Sequence, residues 1–305
     1  MFDTLLATLV SGITLASIYA LMSIGLTVSW GTLKIFNFFH GGFILTGAYV
    51  AWYTLLPNQP HSATGFAYPG LGSNYIVASI LVCLVCFLLG VIIQRGAIHP
   101  LLGNPSFSLL TMITTLGAYM IMQGSILLLF GGRYKILPPL FPGQLNVGSI
   151  VITYQKLSII LISMGLLSFL HFFLKKTKPG MAMRAIEQDR DAALLAGINA
   201  KKVFLYTLGL SGVFAGISGM LIGNLQFITP TIGMVPLFKS FIIIIMGGLG
   251  SMRGNIVAAI IIGLLEAFVS LFLGIFWVLP IEFLVMMSIL FIRPSGLFGV
   301  KEIAR

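Results

Sequence analysis

Long apolar runs that contain almost no charge constrain this chain more than any other feature. They lie at approximately 4–30, 35–56, 74–94, 107–130, 150–174, 203–226, 236–250, 254–275 and 276–292. A helix needs about 20 apolar residues to cross a bilayer, and the runs lack the period-two alternation of a membrane barrel. Only 8% of the 305 residues are charged, whereas a soluble domain carries about 25%. The sequence therefore predicts an all-α, polytopic transmembrane helix bundle of about 8–9 spans, including short or broken helices.

The same runs leave no stretch of about 100 residues for a soluble domain. We therefore expect 1–305 to form a single transmembrane domain. Its net charge is +10, but the basic residues lie at the ends of apolar runs and in one loop, which is a membrane orientation signal. A nucleic-acid partner is not expected.

The basic loop lies at about 175–202. It contains Lys175, Lys176, Lys178, Arg184, Arg190, Lys201 and Lys202. Loops rich in Lys and Arg stay in the cytoplasm, so we expect an outer N-terminus and a C-terminus inside, with Lys301 and Arg305 cytoplasmic. Four basic residues fall on the wrong side in this arrangement: Arg133, Lys135, Lys156 and Lys239.

Glycine forms a stripe along the sixth apolar segment. Its members are Gly209, Gly212, Gly216, Gly219 and Gly223. At 100° per residue they lie within an arc of about 80° on one helix face. Small residues at this spacing let two helix backbones approach closely. We expect this helix to pack in the interior, against another part of the chain or against a partner subunit.

Glycine also interrupts two apolar segments, after Asn37 and at Gly247. Broken membrane helices expose backbone groups that line a cavity, and paired breaks indicate a transporter's substrate region. The predicted translocation path therefore includes Asn37, His40, Gly41, Gly42, Gly247 and Gly248. For Asn37 and His40, one turn apart on a helix face, a helix-end or interhelical hydrogen bond without contact to substrate is an equally good interpretation.

Two carboxylates lie within the last two apolar segments. An intramembrane acid is costly and indicates function. Glu266 falls near mid-span, where we expect a buried donor as its partner and a place on the translocation path. Glu282 follows Pro280, and we expect it near the outer interface, in contact with water. These acids keep open the alternative of an ion-coupled secondary carrier.

Motifs for chemistry are missing from the sequence. It has no GxxxxGK[ST] phosphate loop, no HExxH and no GxSxG. Cys83 and Cys86 match CxxC, but they lie mid-span without a second pair, so we interpret them as packing residues. We therefore expect no catalytic residue, no metal, no cofactor and no enzyme activity; the chain cannot hydrolyse ATP by itself.

The basic loop combines both charge signs with small and apolar residues between Gly180 and Lys202. This pattern predicts two short surface helices broken at Gly197, with apolar side chains that need a partner groove. The sequence Asp191-Ala192-Ala193, followed by Gly197-Ile198-Asn199, resembles the coupling loop of bacterial ABC importer permeases. The family's signature glutamate is replaced here by Asp191.

The rest of the chain is similar to one branch of that family, the permeases of high-affinity branched-chain amino-acid uptake, and specifically to the first of their two permeases. The matching blocks are Gly12–Leu26, Asn37–Tyr49, Gly180–Asn199, Lys239–Glu266 and Arg293–Leu297. Many relatives have an acid where this chain has Gly42. Permeases for urea and short amides share the same pattern, so the substrate is either a hydrophobic amino acid or urea or a short amide.

The resemblance implies a multi-pass protein of the bacterial or archaeal cytoplasmic membrane that imports hydrophobic amino acids by alternating access. It implies a second permease subunit, two cytoplasmic ATP-binding subunits and an extracytoplasmic substrate-binding protein. The residues that it assigns to ATPase coupling are Ala185, Asp191, Ala192, Ala193, Gly197 and Ile198.

Overall fold

The computed structural model of the chain describes residues 2–57, 60–62, 67–147 and 150–299. The predicted cytoplasmic positions of Lys301 and Arg305 lie outside these residues. The helices are α1 Phe2–Leu33, α2 His40–Leu55, α3 Tyr75–Ile93, α4 Phe107–Phe130, α5 Tyr154–Lys176, α6 Lys178–Gln188, α7 Arg190–Leu195, α8 Ala200–Gly223, α9 Met234–Gly247, α10 Met252–Phe272 and α11 Val278–Ile292.

Shorter elements complete the described chain. A π-helical turn, Gln94–Ile98, and a 3₁₀ turn, His99–Leu101, extend α3, and a 3₁₀ turn, Ile275–Trp277, precedes α11. Two antiparallel hairpins pair β1 Pro60–Ser62 with β2 Ala67–Pro69 and β3 Gln144–Val147 with β4 Ile150–Thr153. Their registers place Pro60 opposite Pro69 and Gln144 opposite Thr153.

Each of the nine apolar segments contains a helix, so the all-α, polytopic class is confirmed. Within the described residues, seven helices are long and apolar enough to cross a membrane, and they contain α1, α3, α4, α5, α8, α10 and α11. The helices α2 and α9 have 16 and 14 residues, too few for an ordinary span. The orientation with the N-terminus outside stays a prediction.

The chain divides into two compact units. The first unit consists of Met1–Thr27, Pro139–Leu170 and Phe238–Arg305, and the second of Val28–Pro138 and His171–Leu237. The expectation of one transmembrane domain over 1–305 stays a prediction.

The second unit is built around α8, which packs against α2 and α3. Most of α8 is buried, and its backbone touches its neighbours directly. A Cβ atom at Gly219 would lie 2.0 Å from the carbonyl oxygen of Ile44, and one at Gly47 would lie 2.0 Å from that of Gly216. Any larger residue would place a Cβ atom in a clash at such distances, so only glycine fits. The close approach in turn allows dispersion contacts between the helix backbones.

The first unit packs the beginning of α1 against α10. A Cβ atom at Gly263 would lie 2.4 Å from the backbone nitrogen of Ala16. Further along α1, the side-chain amide of Asn255 donates to the backbone carbonyl of Ala20 at 3.2 Å. The Thr27 hydroxyl donates to Oδ1 of Asn255 at 3.0 Å. The beginning of α10 is thereby fixed to α1 by hydrogen bonds as well as by close packing.

Candidate functional site

The coupling segment, residues 177–199, contains the two short helices α6 and α7. Thr177 caps α6, because its hydroxyl accepts a hydrogen bond from the Gly180 amide at 3.2 Å. Asp189 caps α7, and its Oδ1 accepts from the amides of Asp191 and Ala192 at 3.0 Å each. The break between the two helices therefore falls at Asp189. The predicted interruption at Gly197 exists, but it separates α7 from α8. The additional break at Asp189, between the two short helices, was not predicted, because a carboxylate at an N-cap starts a helix without any glycine before it.

Gly197 ends α7 in a Schellman motif. Its amide donates to the carbonyl of Leu194 at 3.0 Å, and the next amide, of Ile198, donates to the carbonyl of Ala193 at 3.0 Å. Gly197 has a φ of +83°, which a β-branched residue cannot adopt without strain. Asn199 then starts α8, because its side chain accepts from the Lys202 amide at 3.2 Å. The Gly-Ile-Asn sequence is thus a stop signal followed directly by a start signal.

The segment is anchored by α6 and exposed at α7. Met183 and Ile186 are buried, while Leu195 on α7 is 92% exposed. The guanidinium of Arg190 lies 5.6 Å from the centre of the Phe204 ring. These two residues line a surface cavity beside Leu194 and Gly197.

The predicted coupling residues divide between these two surfaces. Asp191, Ala192 and Gly197 are exposed, Ala185 and Ile198 are half-buried, and Ala193 is buried. Their assignment to ATPase coupling stays a prediction.

Glu187, at the end of α6, lies against the end of α1. A Cβ atom at Gly31 would lie 2.7 Å from Oε1 of Glu187, so the carboxyl fills the space that this glycine leaves open. Burial raises the pKa of Glu187, and the positive charges of Lys34 and Arg184 act against that shift. Lys34 ends α1 with a φ of +56°, a backbone conformation that is uncommon outside glycine.

Asn37 and His40 are both fully buried, but they do not share a helix face. Asn37 precedes α2, and its Oδ1 accepts from the Phe39 amide at 3.0 Å, while the His40 amide donates to the Asn37 carbonyl at 3.2 Å. The prediction of one turn of helix at this pair was wrong, because the Asn37 side chain bonds its own backbone in a turn. The interpretation as a helix-end hydrogen bond fits the contacts of Asn37.

The neighbouring glycines are packed closely in the same unit. A Cβ atom at Gly41 would lie 2.9 Å from the Gly233 carbonyl oxygen, and one at Gly42 would lie 3.1 Å from the Phe39 ring. The other predicted break is at the end of α9, where Gly248 has a φ of +103°. Gly247, the last residue of α9, accepts a hydrogen bond from the Phe298 amide at 3.0 Å. That all of these residues line a translocation path stays a prediction.

A cluster of buried charged residues, the ionic centre, surrounds Glu266 in the first unit. Its members are Tyr19 of α1, Lys239 of α9, Glu266 of α10 and Glu282 of α11. The Lys239 ammonium lies 2.5 Å from Oε2 of Glu266, 3.2 Å from Oε1 of Glu282 and 3.0 Å from the Tyr19 hydroxyl. The Tyr19 hydroxyl in turn donates to Glu266. The predicted buried donor for Glu266 is therefore Lys239.

Two sequence interpretations are corrected by the ionic centre. Glu282 is 0% exposed, so its expected place in contact with water was wrong. Lys239 is 4% exposed, and it is a helix residue paired with acids rather than a loop residue that reports orientation. The sequence contains a pattern that could have predicted this cluster. One apolar segment carries a single cation and the next two carry one acid each, and charged groups inside a membrane are stable only when they are paired.

The glycine stripe of α8 contacts α2, α3 and the segment that follows α8. Built Cβ atoms would lie 2.5 Å from Phe87 at Gly209, 2.4 Å from Cys86 at Gly212 and Gly216, 2.0 Å from Ile44 at Gly219 and 3.0 Å from Ile228 at Gly223. Cys86 is buried, and its thiol donates to the Phe43 carbonyl at 3.7 Å. Among the described residues, no group of three or more His, Cys, Asp and Glu side chains is placed to hold a metal.

Comparison with known proteins places the sequence in a family. Residues 8–292 match the family profile of the branched-chain amino acid transport system permease component. The chain is 28% identical to the high-affinity branched-chain amino acid transport system permease protein BraD of Pseudomonas aeruginosa, over 97% of this chain and 96% of that protein.

Two further relatives come from a bacterium and an archaeon. LivH of Escherichia coli strain K12, a permease protein of the same high-affinity system, is 28% identical over 97% of this chain and 96% of its own length. A probable LivH of Methanocaldococcus jannaschii is 28% identical over 93% and 90%. No solved structure matches the chain. The chain belongs to the family of permease components of branched-chain amino acid transport systems, and it is a multi-pass membrane protein.

Proposed function

We propose that this permease imports branched-chain or other hydrophobic amino acids by alternating access, driven by ATP hydrolysis in separate subunits. Partners of the complex are a second permease, two cytoplasmic ATP-binding subunits and an extracytoplasmic substrate-binding protein. The substrate class is supported by the names of the relatives, which span bacteria and an archaeon.

The observation that carries the proposal is the coupling segment. A water-facing helix normally turns its large apolar side chains inward, yet α7 leaves Leu195 92% exposed. The helix is fixed at both ends, by the Asp189 cap and the Gly197 motif. A rigid, exposed apolar tip is the form in which one helix docks into a groove of another protein. An ATP-binding subunit is the partner that supplies the groove.

The contacts of α6 suggest how the docked segment acts on the membrane helices. ATP binding draws the partner subunits together, and α7 moves with them. Because α6 is buried through Met183 and Ile186 and touches Gly31 through Glu187, the motion reaches the end of α1. The chain continues from there into the break before α2. The glycine breaks are the points at which the membrane helices rearrange.

The alternative of an ion-coupled carrier would need an accessible ion site. The ionic centre instead holds Lys239 between its own acids, with Lys239 and Glu282 almost fully buried. This arrangement favours the ATP-driven importer. Urea or short amides remain the alternative substrates within the same importer architecture, and uptake assays with labelled leucine, isoleucine, valine and urea distinguish them.

The test uses the complete complex in proteoliposomes and a matched pair of variants at one position. Gly197→Val forces a β-branched residue into a φ of +83°, whereas Gly197→Asn introduces a residue that tolerates this conformation. No atom lies within 4 Å of a Cβ built there, so the two variants differ in backbone strain rather than in clashes. We expect Gly197→Val to reduce uptake at least about tenfold, and Gly197→Asn to retain most of it.

Two outcomes would contradict the proposal. One is full uptake by Gly197→Val in a complex that assembles normally, as checked by co-purification of the ATP-binding subunits. The other is uptake by the permease alone, driven by a proton or sodium gradient, in liposomes without ATP-binding subunits.

A further inference from the structure

The charges of the ionic centre do not balance. One ammonium, on Lys239, faces two carboxyl groups, on Glu266 and Glu282. Among the described residues, the remaining titratable neighbour is the Tyr19 hydroxyl, which bonds Glu266 and Lys239 and carries no charge as a donor. If both acids were ionised, the centre would hold a net negative charge inside apolar helices. Such a charge costs several kcal/mol unless it is paired.

The two acids have different surroundings. Glu266 receives the Tyr19 hydroxyl and the Lys239 ammonium on the same oxygen, and its side chain keeps 17% of its surface exposed. Glu282 is 0% exposed, and among the described residues neither of its oxygens has a partner in hydrogen-bond geometry. Its Oε1 lies 3.2 Å from the Lys239 ammonium. Burial favours the neutral form of Glu282, whereas the Lys239 ammonium favours the ionised form. The same ammonium lies closer to Glu266, at 2.5 Å, and one positive charge balances only one carboxylate.

We propose that Glu282 is a proton-binding site, which holds one proton at neutral pH and leaves the ion pair of Lys239 with Glu266 electrically neutral. The groups that face Glu282 come from the three other helices of the centre: Tyr19 of α1, Lys239 of α9 and Glu266 of α10. The proton is the O–H hydrogen of the carboxyl itself, so the site holds a fixed proton rather than a transported ion and needs no other reactant. Proton binding here depends neither on the substrate nor on the partners proposed above.

Infrared spectroscopy of the full-length chain in alkyl maltoside micelles, whose detergent contains no carbonyl group, measures this proton directly, because a protonated carboxyl has a C=O stretching band that an ionised one lacks. The chain contains seven Asp and Glu residues, so few groups contribute to that region. We expect such a band at pH 7. Glu282→Asp keeps the acid but changes its position, and it should shift the band, whereas the matched variant Glu266→Asp should leave the frequency in place.

A spectrum without this band at pH 7 would overturn the proposal, and so would a band that shifts with Glu266→Asp alone or equally with both variants. Glu187 is another partly buried acid, and Glu187→Gln in the same background shows whether it contributes.

Thermal stability against pH provides a second readout. The folded chain holds one proton more than the unfolded chain, in which Glu282 meets water and ionises above a pH of about 4.3. By linkage, the contribution of Glu282 to stability then falls as the pH rises, by up to about tenfold in the unfolding equilibrium per pH unit. Glu282→Gln copies the neutral form and should flatten this dependence between about pH 5 and 8. An identical slope in wild type and Glu282→Gln would contradict the proposal.

Discussion

The ionic centre and the coupling segment break the ordinary rules of burial in opposite directions. In the first, ionisable side chains are buried among membrane helices, with Lys239 4% and Glu282 0% exposed. In the second, Leu195 is 92% exposed on a helix outside the seven candidate spans. The buried ionisable side chains contact one another across helices of the same chain, whereas Leu195 leaves most of its surface open. We therefore expect the ionic centre to stabilise its own unit of the chain, and the coupling segment to bind another protein as proposed above.

The largest effect is expected from Lys239→Met, which removes the only cation of the ionic centre. Two carboxyl groups would then be buried against each other, and breaking a buried ion pair in this way costs about 3–5 kcal/mol. We expect a large loss of thermal stability and of folded protein in membranes, measured by fluorescence-detected size exclusion after heating.

Lys156→Met is the matched control in the same unit. Lys156 donates a hydrogen bond to the Ser11 hydroxyl at 2.8 Å and faces no acid in the ionic centre, so its loss should cost about 1 kcal/mol. Equal losses from both variants would show that the ionic centre does not hold the unit together.

A loss of coupling without a loss of stability is expected from Leu195→Ser. Exposed side chains away from special contacts change stability by about 0.5 kcal/mol or less, so folding should be unaffected. Loss of an apolar anchor from an interface typically costs more than about 1 kcal/mol of binding, which is several-fold in affinity. Transport-stimulated ATPase activity and co-purification of the ATP-binding subunits measure this effect.

Ala196→Ser is the control, because it adds the same hydroxyl group at the adjacent exposed position and removes no large apolar side chain. If the two variants bind and stimulate the ATP-binding subunits equally, Leu195 is not the docking residue.

The smallest effect is expected from Glu187→Gln, which keeps the shape of the side chain against Gly31. The pKa of Glu187 is raised, so its ionisation disfavours the folded state. Stability from this residue is complete below the ordinary pKa of about 4.3 and is lost as the pH rises through the raised value. Glu187→Gln should therefore be slightly more stable than wild type at pH 7 and equal to it near pH 4. A loss of stability at pH 7 would show that the attraction of Lys34 and Arg184 exceeds the cost of burial.

The short helices of the coupling segment were largely predictable from its sequence, because the hydrogen bonds that begin and end a helix join residues only a few positions apart. Asp189 and Gly197 each bond within four or five residues of their own position. The error at Asp189 came from treating glycine as the break and overlooking an N-cap side chain. Asn37 was misread for a related reason, because the sequence does not state whether its side chain bonds the backbone or faces a cavity.

The sequence by itself determined the membrane class, the apolar helices and the glycine breaks. These follow from the hydrocarbon thickness and from backbone conformations that only glycine adopts readily. Tertiary structure alone decided that Lys239 meets Glu266 and that Glu282 is buried beside them. The physical reason is that pairing between residues on different helices depends on how those helices are rotated and stacked, and hydropathy contains no information on rotation. A charge in an apolar segment reveals that a partner is required, but only the packed helices identify it.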